Sequence, residues 1–329
     1  MARYIGKRVL MLIPVLLGIA LIVLLLIDIT PGDPARIMLG TMATEEQVKL
    51  LRAEWGLDDP FPVRYVRYIW QVLHGDFGKS FMTKRSVSEE ILQRFPYTLT
   101  LAALSITLSI ILGIPIGIYA ATHQYSWRDN AAMFTALIVV SMPSFWLALM
   151  LIRVFGVNLR WLPISGITTW KGWILPCVAM ALGLTALLAR QMRSDLLEVI
   201  RQDYITTARA KGLAEGTVVY RHGLKNAVIP IIMVIGGVFG SSLSGAIIAE
   251  TIYSIPGIGS FTLTGLSNRD YPVIQGSVLI MSSMFAIVIL FVDVLFALVD
   301  PRIRSQYSGK RKREEKQLGK ETQEKVETV

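Results

Sequence analysis

Val9-Leu-Met-Leu-Ile-Pro-Val-Leu-Leu-Gly-Ile-Ala-Leu-Ile-Val-Leu-Leu-Leu-Ile27 carries no charged side chain and one Pro. An apolar run of about 20 residues is what a hydrocarbon core of about 30 Å requires. Lipid offers the backbone no hydrogen-bond partners, so such a run must close its own bonds as a helix. Arg3, Lys7 and Arg8 precede it, as in a secretory leader. The run is too long for a leader, and no small-x-small cleavage site follows before Asp28-Ile-Thr-Pro-Gly-Asp33. It reads as an uncleaved first transmembrane helix.

Composition agrees. Hydrophobic residues make up 53% of the 329-residue chain, above the roughly 45–50% of soluble domains. The excess falls in runs that predict six spans, roughly 9–28, 98–121, 131–155, 173–189, 227–249 and 273–299. The fold class is all-α and polytopic. Net charge is +9 and the pI about 9.6. In a membrane protein this charge needs no nucleic acid, because Lys and Arg collect in cytoplasmic loops. They do so in the N-terminus, in the 190–226 loop and in the tail. The opposing loops at 156–172 and 250–272 carry only Arg160, Lys171 and Arg269. Both termini are therefore expected in the cytoplasm. The single Cys177 can form no intrachain disulfide and reads as a small packing residue.

The long outer loop, 30–97, has helix signals of its own. Thr44-Glu-Glu-Gln47 is a capping box, with Gly56 as a stop. Asp59-Pro60 opens a second helix that ends at Gly75, and Glu89 and Glu90 suit the first turn of a third that ends before Pro96. A small helical cap on the outer face follows. From Ser305 the chain is rich in Lys and Glu and nearly free of large apolar residues. This predicts a charged, disordered cytoplasmic tail, 306–329, either solvated or touching anionic lipid. The rest, 1–305, reads as one membrane domain.

The cytoplasmic loop between spans four and five is the most informative segment. Ala208, Ala210 and Gly212 permit close approach, and Gly212 can turn the chain between two short helices. Leu213, Val218, Val219 and Tyr220 form an apolar patch on a basic background, which suits either a docking site or a helix lying on the bilayer. Thr206-Thr-Ala208-x-x-x-Gly212 resembles the EAA loop of ABC-importer permeases. Asp203-Tyr-Ile-Thr-Thr-Ala-Arg-Ala-Lys-Gly212 is similar to the form used by the dipeptide/oligopeptide/nickel branch. The departures from the generic loop are Thr206 and Thr207 in place of Glu and Ala, the Ala227-Val-Ile-Pro230 ending and the longer gap to Pro230. All point to that branch.

Further pieces resemble the branch in order and spacing: Gly32-Asp-Pro34, Gly75-Asp76-Phe-Gly78, Phe95-Pro-Tyr-Thr98, Ser141-Met-Pro-Ser-Phe-Trp146, Glu250-Thr-Ile-Tyr-Ser-Ile-Pro256-Gly-Ile-Gly259 and Asp300-Pro-Arg-Ile-Arg304. The resemblance covers about residues 1–305. It implies a type I ABC-importer permease fold in a bacterial or archaeal cytoplasmic membrane, importing dipeptides or oligopeptides by alternating access. The runner-up solute is nickel or another small solute. It also implies a second permease subunit, two ATPase subunits that use ATP and Mg, and an extracytoplasmic solute-binding protein. Asp203, Tyr204, Thr206, Thr207, Ala208, Arg209, Ala210, Lys211, Gly212 and Leu213 would then form the ATPase-coupling loop. The chain itself has no Gly-x-x-x-x-Gly-Lys-Ser/Thr phosphate loop, so the nucleotide must bind on another chain.

Span five is rich in small residues: Gly236, Gly237, Gly240, Ser241, Ser244 and Gly245 suit helix packing or pore lining equally. Gly113 and Gly117 in span two favour packing. The Pro/Gly-rich turn at Glu250, Tyr253, Pro256, Gly257 and Gly259 is a candidate outer gate, or a structural lid. Arg153 and Glu250 lie near the outer surface, where they can snorkel or pair, and Asp293 can bond to a neighbouring helix. No chain of acids suggests a proton relay, which argues against an ion-coupled transporter; a secondary transporter or channel without an ATPase is the reading from another class. His74, His123 and His222 are the only histidines and all fall in loops. With no His-Glu-x-x-His motif and only an incomplete Gly-x-Ser-x-Gly, neither a zinc site nor a serine nucleophile is indicated.

Overall fold

The computed structural model describes residues 2–29, 32–40 and 42–299. In chain order the helices are α1 (Ala2–Ile29), α2 (Pro34–Leu39), α3 (Glu45–Glu54), α4 (Phe61–Leu73), α5 (Val87–Thr122), α6 (Trp127–Ser141), α7 (Ser144–Leu151), α8 (Ile174–Val199), α9 (Asp203–Ala210), α10 (Glu215–Thr217), α11 (Leu224–Ile252), α12 (Ile258–Ser267) and α13 (Tyr271–Val299). A π-helical turn extends α7 over Ile152–Asn158, and another joins α10 to α11 over Val218–Gly223. Among the described residues no named strand forms; Lys79 and Ser86 make an isolated bridge. The tail expected at 306–329 lies outside the described residues.

Among the described residues five helical segments are long and apolar enough to cross a membrane: Arg8–Leu26, Val87–Thr122, Trp170–Val199, Glu215–Leu243 and Tyr271–Val294. The expected third span, 131–155, is not straight. It is the pair Trp127–Ser141 and Ser144–Asn158, bent by 101°. Pro143 explains the break. Its ring disfavours helical backbone at the preceding residue, and Met142 is extended (φ −83, ψ 131).

α5 and α8 form the centre and run in the same direction. A Cβ at Gly113 would lie 2.9 Å from the carbonyl of Thr185, and one at Gly117 only 2.6 Å from Met192 Cβ. Both glycines therefore serve backbone-to-backbone packing. Ser109 adds a hydroxyl bond across the pair to the Ala181 carbonyl at 3.1 Å. Apolar clusters close the two ends of this centre. One gathers Leu101, Ala148, Cys177, Ala249 and Tyr253; the other gathers Ile118, Met192, Leu196, Ala227 and Ile231. α11 packs antiparallel on α13. α1 sits at the edge against α13 and α4, with few residues of its apolar span fully buried. Arg8 meets Asp293 at 2.9 Å, so the start of α1, the end of α13 and the α9–α10 loop share one end of the bundle.

The other end carries the cap. Asp33 caps α2 through the Ala35 amide at 3.0 Å, with Pro34 in the first turn. The Thr44–Gln47 capping box is present in both directions, at 3.3 and 3.0 Å. Trp55 stacks on Phe81 at 3.6 Å between ring centres. Asp270 accepts from the Ser80 hydroxyl and the Phe81 amide, pinning the 77–86 hairpin to the start of α13. Two expectations fail here. Asp59 does not cap α4, whose N-cap is Pro60; Asp59 instead pairs with Arg67 at 2.5 Å. The third cap helix does not stop before Pro96 but is the first part of α5. Pro96 is exposed on that helix. The turn before it is held by Arg94 on Glu90, at 2.8 Å and 3.1 Å, with Arg85 on the same carboxylate. In a long apolar helix the rest of the ladder carries the chain past one missing N–H.

Candidate functional site

Two turns at opposite ends of the bundle hold the candidate residues. At the loop end, α9 ends at Ala210 and Gly212 takes φ +77. This is the left-handed position that closes a helix and that Gly occupies without strain. The Gly212 amide donates to the Arg209 carbonyl at 2.9 Å. Arg209 then reaches across the turn to Glu215 with two bonds, at 3.1 and 2.6 Å, and that carboxylate pushes the Arg209 pKa up. A Cβ at Gly212 would meet nothing within 4 Å, so the turn projects freely.

The apolar patch expected here is not one surface. Val218 and Val219 are buried, the first against Ile205 and Ala208, the second against Met192 and Leu196. The reason is geometric: α9 folds back on the π-helical turn, so one side of each is consumed internally. Ala208 therefore packs within the chain and is not free to face a partner. What remains exposed is Asp203, Tyr204, Thr206, Thr207, Arg209, Ala210, Lys211, Gly212, Leu213 and, beyond the turn, Tyr220. The Tyr204 hydroxyl accepts from Asn226 Nδ2 at 2.8 Å, tying α9 to the first turn of α11. Asn226 is a site residue that sequence reasoning missed. It is polar and unremarkable in the sequence, 22 positions from its partner.

α11 has two unlike faces. A Cβ at Gly236 would overlap Val292, and one at Gly240 would overlap Phe285, both on α13. These two glycines are packing residues. Gly237 has open space around it and is exposed with Ser241, in line with Asn226, Pro230, Met233, Ile248 and Thr251. These positions lie on one exposed side of α11. Ser244 and Gly245 lie on α11 outside the residues whose side-chain surroundings are described.

At the cap end, α11 runs into the second turn. Glu250 neither snorkels nor pairs with a cation there: it is fully buried. Its carboxylate accepts from the Thr98 hydroxyl at 2.6 Å and the Ser260 amide at 2.8 Å. Thr98 in turn accepts from the Ile258 amide at 2.9 Å. A Cβ at Gly257 would overlap the Glu250 carboxylate, and one at Gly259 would stand 2.7 Å from Ile247. Tyr253 is buried and donates to the Ala148 carbonyl at 3.1 Å, while its own carbonyl accepts from Gly166 at 2.8 Å. Of the gate candidates only Pro256 is exposed. The turn is a knot joining α5, α7, α11 and α12. Thr98 and Ser260 are the partners that sequence alone did not supply. Arg153 is exposed on its π-helical turn.

Known proteins resemble the chain along nearly its whole length. Residues 113–305 match the family described as binding-protein-dependent transport system inner membrane component, and residues 1–102 match the N-terminal region of such membrane components. The glutathione transport system permease protein GsiC of Salmonella paratyphi A is 42% identical over 304 residues, 92% of this chain and 99% of that protein. The Escherichia coli protein of the same name is 40% identical over the same shares. Among solved structures, inward-facing forms of the MetNI methionine ABC transporter superpose with TM-scores of 0.54 and 0.56 at 16% identity, covering 64% of this chain and 96% of theirs.

Proposed function

The chain belongs to the family of binding-protein-dependent inner membrane components, the permease subunits of ABC importers, and from that premise we propose that it forms half of a pore for peptides or peptide-like solutes. The relatives named for glutathione, a tripeptide, support this solute class over nickel. Dipeptides and oligopeptides are solutes of the same class.

The observation that carries the mechanism is the exposed α9–Gly212–α10 turn, bonded to the foot of α11 through Tyr204 and Asn226. In our reading an ATPase subunit seats on this turn. Its ATP-driven movement, with ATP and Mg bound wholly on that partner, tilts α9 and the foot of α11 together. The helix transmits the tilt as a rigid body, and the pore changes its open side. The face through Gly237 and Ser241 lines the pore or meets the second permease. The loop end faces the cytoplasm, with both chain termini, in keeping with the Lys and Arg gathered at that end. The cap end faces outward, where the turn around Pro256 and the α2–α3 part of the cap receive a solute-binding protein.

The test is reconstitution with a second permease, the ATPases and a binding protein recovered with it from its source. Uptake of labelled glutathione and of labelled dipeptide is measured with and without ATP. ATP-dependent uptake of either supports the proposal. Uptake of nickel alone, or ion-driven uptake without ATPases, contradicts it.

A further inference from the structure

α4 lies beside the membrane span and not beyond it. Tyr65 donates its hydroxyl hydrogen to the Leu17 carbonyl at 3.0 Å. Leu17 belongs to the apolar Arg8–Leu26 segment of α1. At 1.5 Å per residue it sits about 14 Å below that segment's end, close to its middle. One tyrosine side chain spans the gap, so this part of α4 is below the end of the span as well. Tyr68, Ile69 and Val72 continue the contact, packing with Leu16, Ile19 and Ala20 of α1 and Leu279 of α13.

The opposite face of α4 is apolar and exposed, with the His74 ring tilted against Trp70 at its end. Val63, Val66, Trp70 and Leu73 follow one another at intervals of three or four, so they line one side of the helix. Val66 and Trp70 are each 66% exposed and Leu73 is 74% exposed. The cationic side chains near them are matched: Arg64 pairs with Asp28 and Arg67 with Asp59. From Tyr68 to Leu73 the helix has no charge. On the neighbouring α1, Ile13, Leu17 and Ile22 are exposed apolar residues as well. Other exposed apolar residues of the cap have a different setting. Met42 and Leu50 stand among Glu45, Glu46, Lys49, Arg52 and Glu54.

We propose that α4 is an interfacial helix sunk into the cap-side leaflet, with lipid acyl chains covering Val63, Val66, Trp70 and Leu73. An amphipathic helix with a broad apolar side takes up this position when its polar groups can reach the headgroup level or be paired. The cap is then divided. α2 and α3 are its water-facing docking part, and α4 is an anchor unavailable to a soluble partner. The inference rests on the chain's place among membrane components and is independent of the transported solute.

The test uses the full complex in phosphatidylcholine–phosphatidylglycerol vesicles, on a Cys177→Ala background. Nitroxide labels are placed singly through Val66→Cys, Trp70→Cys and Leu73→Cys, with Met42→Cys and Leu50→Cys as cap references. Power saturation then compares accessibility to oxygen, which concentrates in lipid, with accessibility to a water-soluble nickel chelate. The expected result is an oxygen-to-nickel ratio several-fold higher at 66, 70 and 73 than at 42 and 50. Loss of assembly by the Trp70 variant alone leaves the reading to the other two positions. Equal ratios at all five sites would overturn the proposal, because α4 would then be in water. Labels at 66 and 73 shielded from both reagents would also overturn it, because protein would be the occupant.

Discussion

The turns at Gly212 and at Gly257 look alike in sequence, each a glycine beside a short helix, yet the chain uses them in opposite ways. At Gly257 the missing Cβ makes room for a buried carboxylate, and every neighbour belongs to the same chain. At Gly212 the missing Cβ permits φ +77, and an added Cβ would meet nothing within 4 Å. The first turn is closed by its own fold. The second is shaped by its fold and left open. A turn that holds a bundle together and a turn left open to a partner differ in what an added methyl group would strike.

The largest effect is expected at the closed turn. Gly257→Leu drives a side chain into Glu250, in a place where overpacking costs about 1–3 kcal/mol or more. Recovery of folded protein in detergent should fall sharply, with a lowered thermal midpoint. Normal recovery would mean that the knot yields easily. Glu250→Ala comes next. It leaves the Ser260 amide without its acceptor and Thr98 without its carboxylate, at a cost of about 1–3 kcal/mol for each buried group stranded. Glu250→Gln, which keeps an oxygen acceptor, should lose less in the same thermal assay. If the two variants are equal, packing alone holds the turn.

Adjacent glycines of α11 sharpen the same contrast within one helix. Gly236→Val meets Val292 and should loosen α11 from α13 by about 1–3 kcal/mol. Gly237→Ala has open space and should be neutral or gain up to about 1 kcal/mol from helix propensity. Thermal unfolding of the two variants side by side checks the difference. Tyr204→Phe has the smallest structural effect, about 0.5–1.5 kcal/mol for one hydrogen bond. Its expected signature is functional: ATP hydrolysis persists while uptake per ATP declines.

Part of this was legible before any coordinates. The first span needs only the apolar run at Val9–Ile27, because lipid imposes helix on any such run. The Thr44–Gln47 box and the Gly212 turn are local, so their residues announce them. Met142-Pro143 carried the signal for the bend in the third span, but a hydropathy run passes over a single proline. Glu250 reads as a near-surface charge in the sequence because its hydroxyl partner, Thr98, lies 152 positions away and no local pattern links them. Val218 and Val219 were read as an outer patch because only the fold-back of α9 shows which side of them is used. The misreadings share a cause: burial of a polar or apolar group is a tertiary fact.

The central claim is that the open turn couples ATP to the pore, and Gly212→Trp tests it most directly. The substitution strains a positive-φ backbone by about 1–3 kcal/mol and places a bulky ring on the docking surface, with no span altered. The purified variant, prepared with all its partners, is to be measured for complex recovery, ATP hydrolysis and uptake together. The account predicts normal membrane insertion, with ATPases that are lost from the complex or hydrolyse ATP without uptake. Full uptake with normal assembly would contradict it.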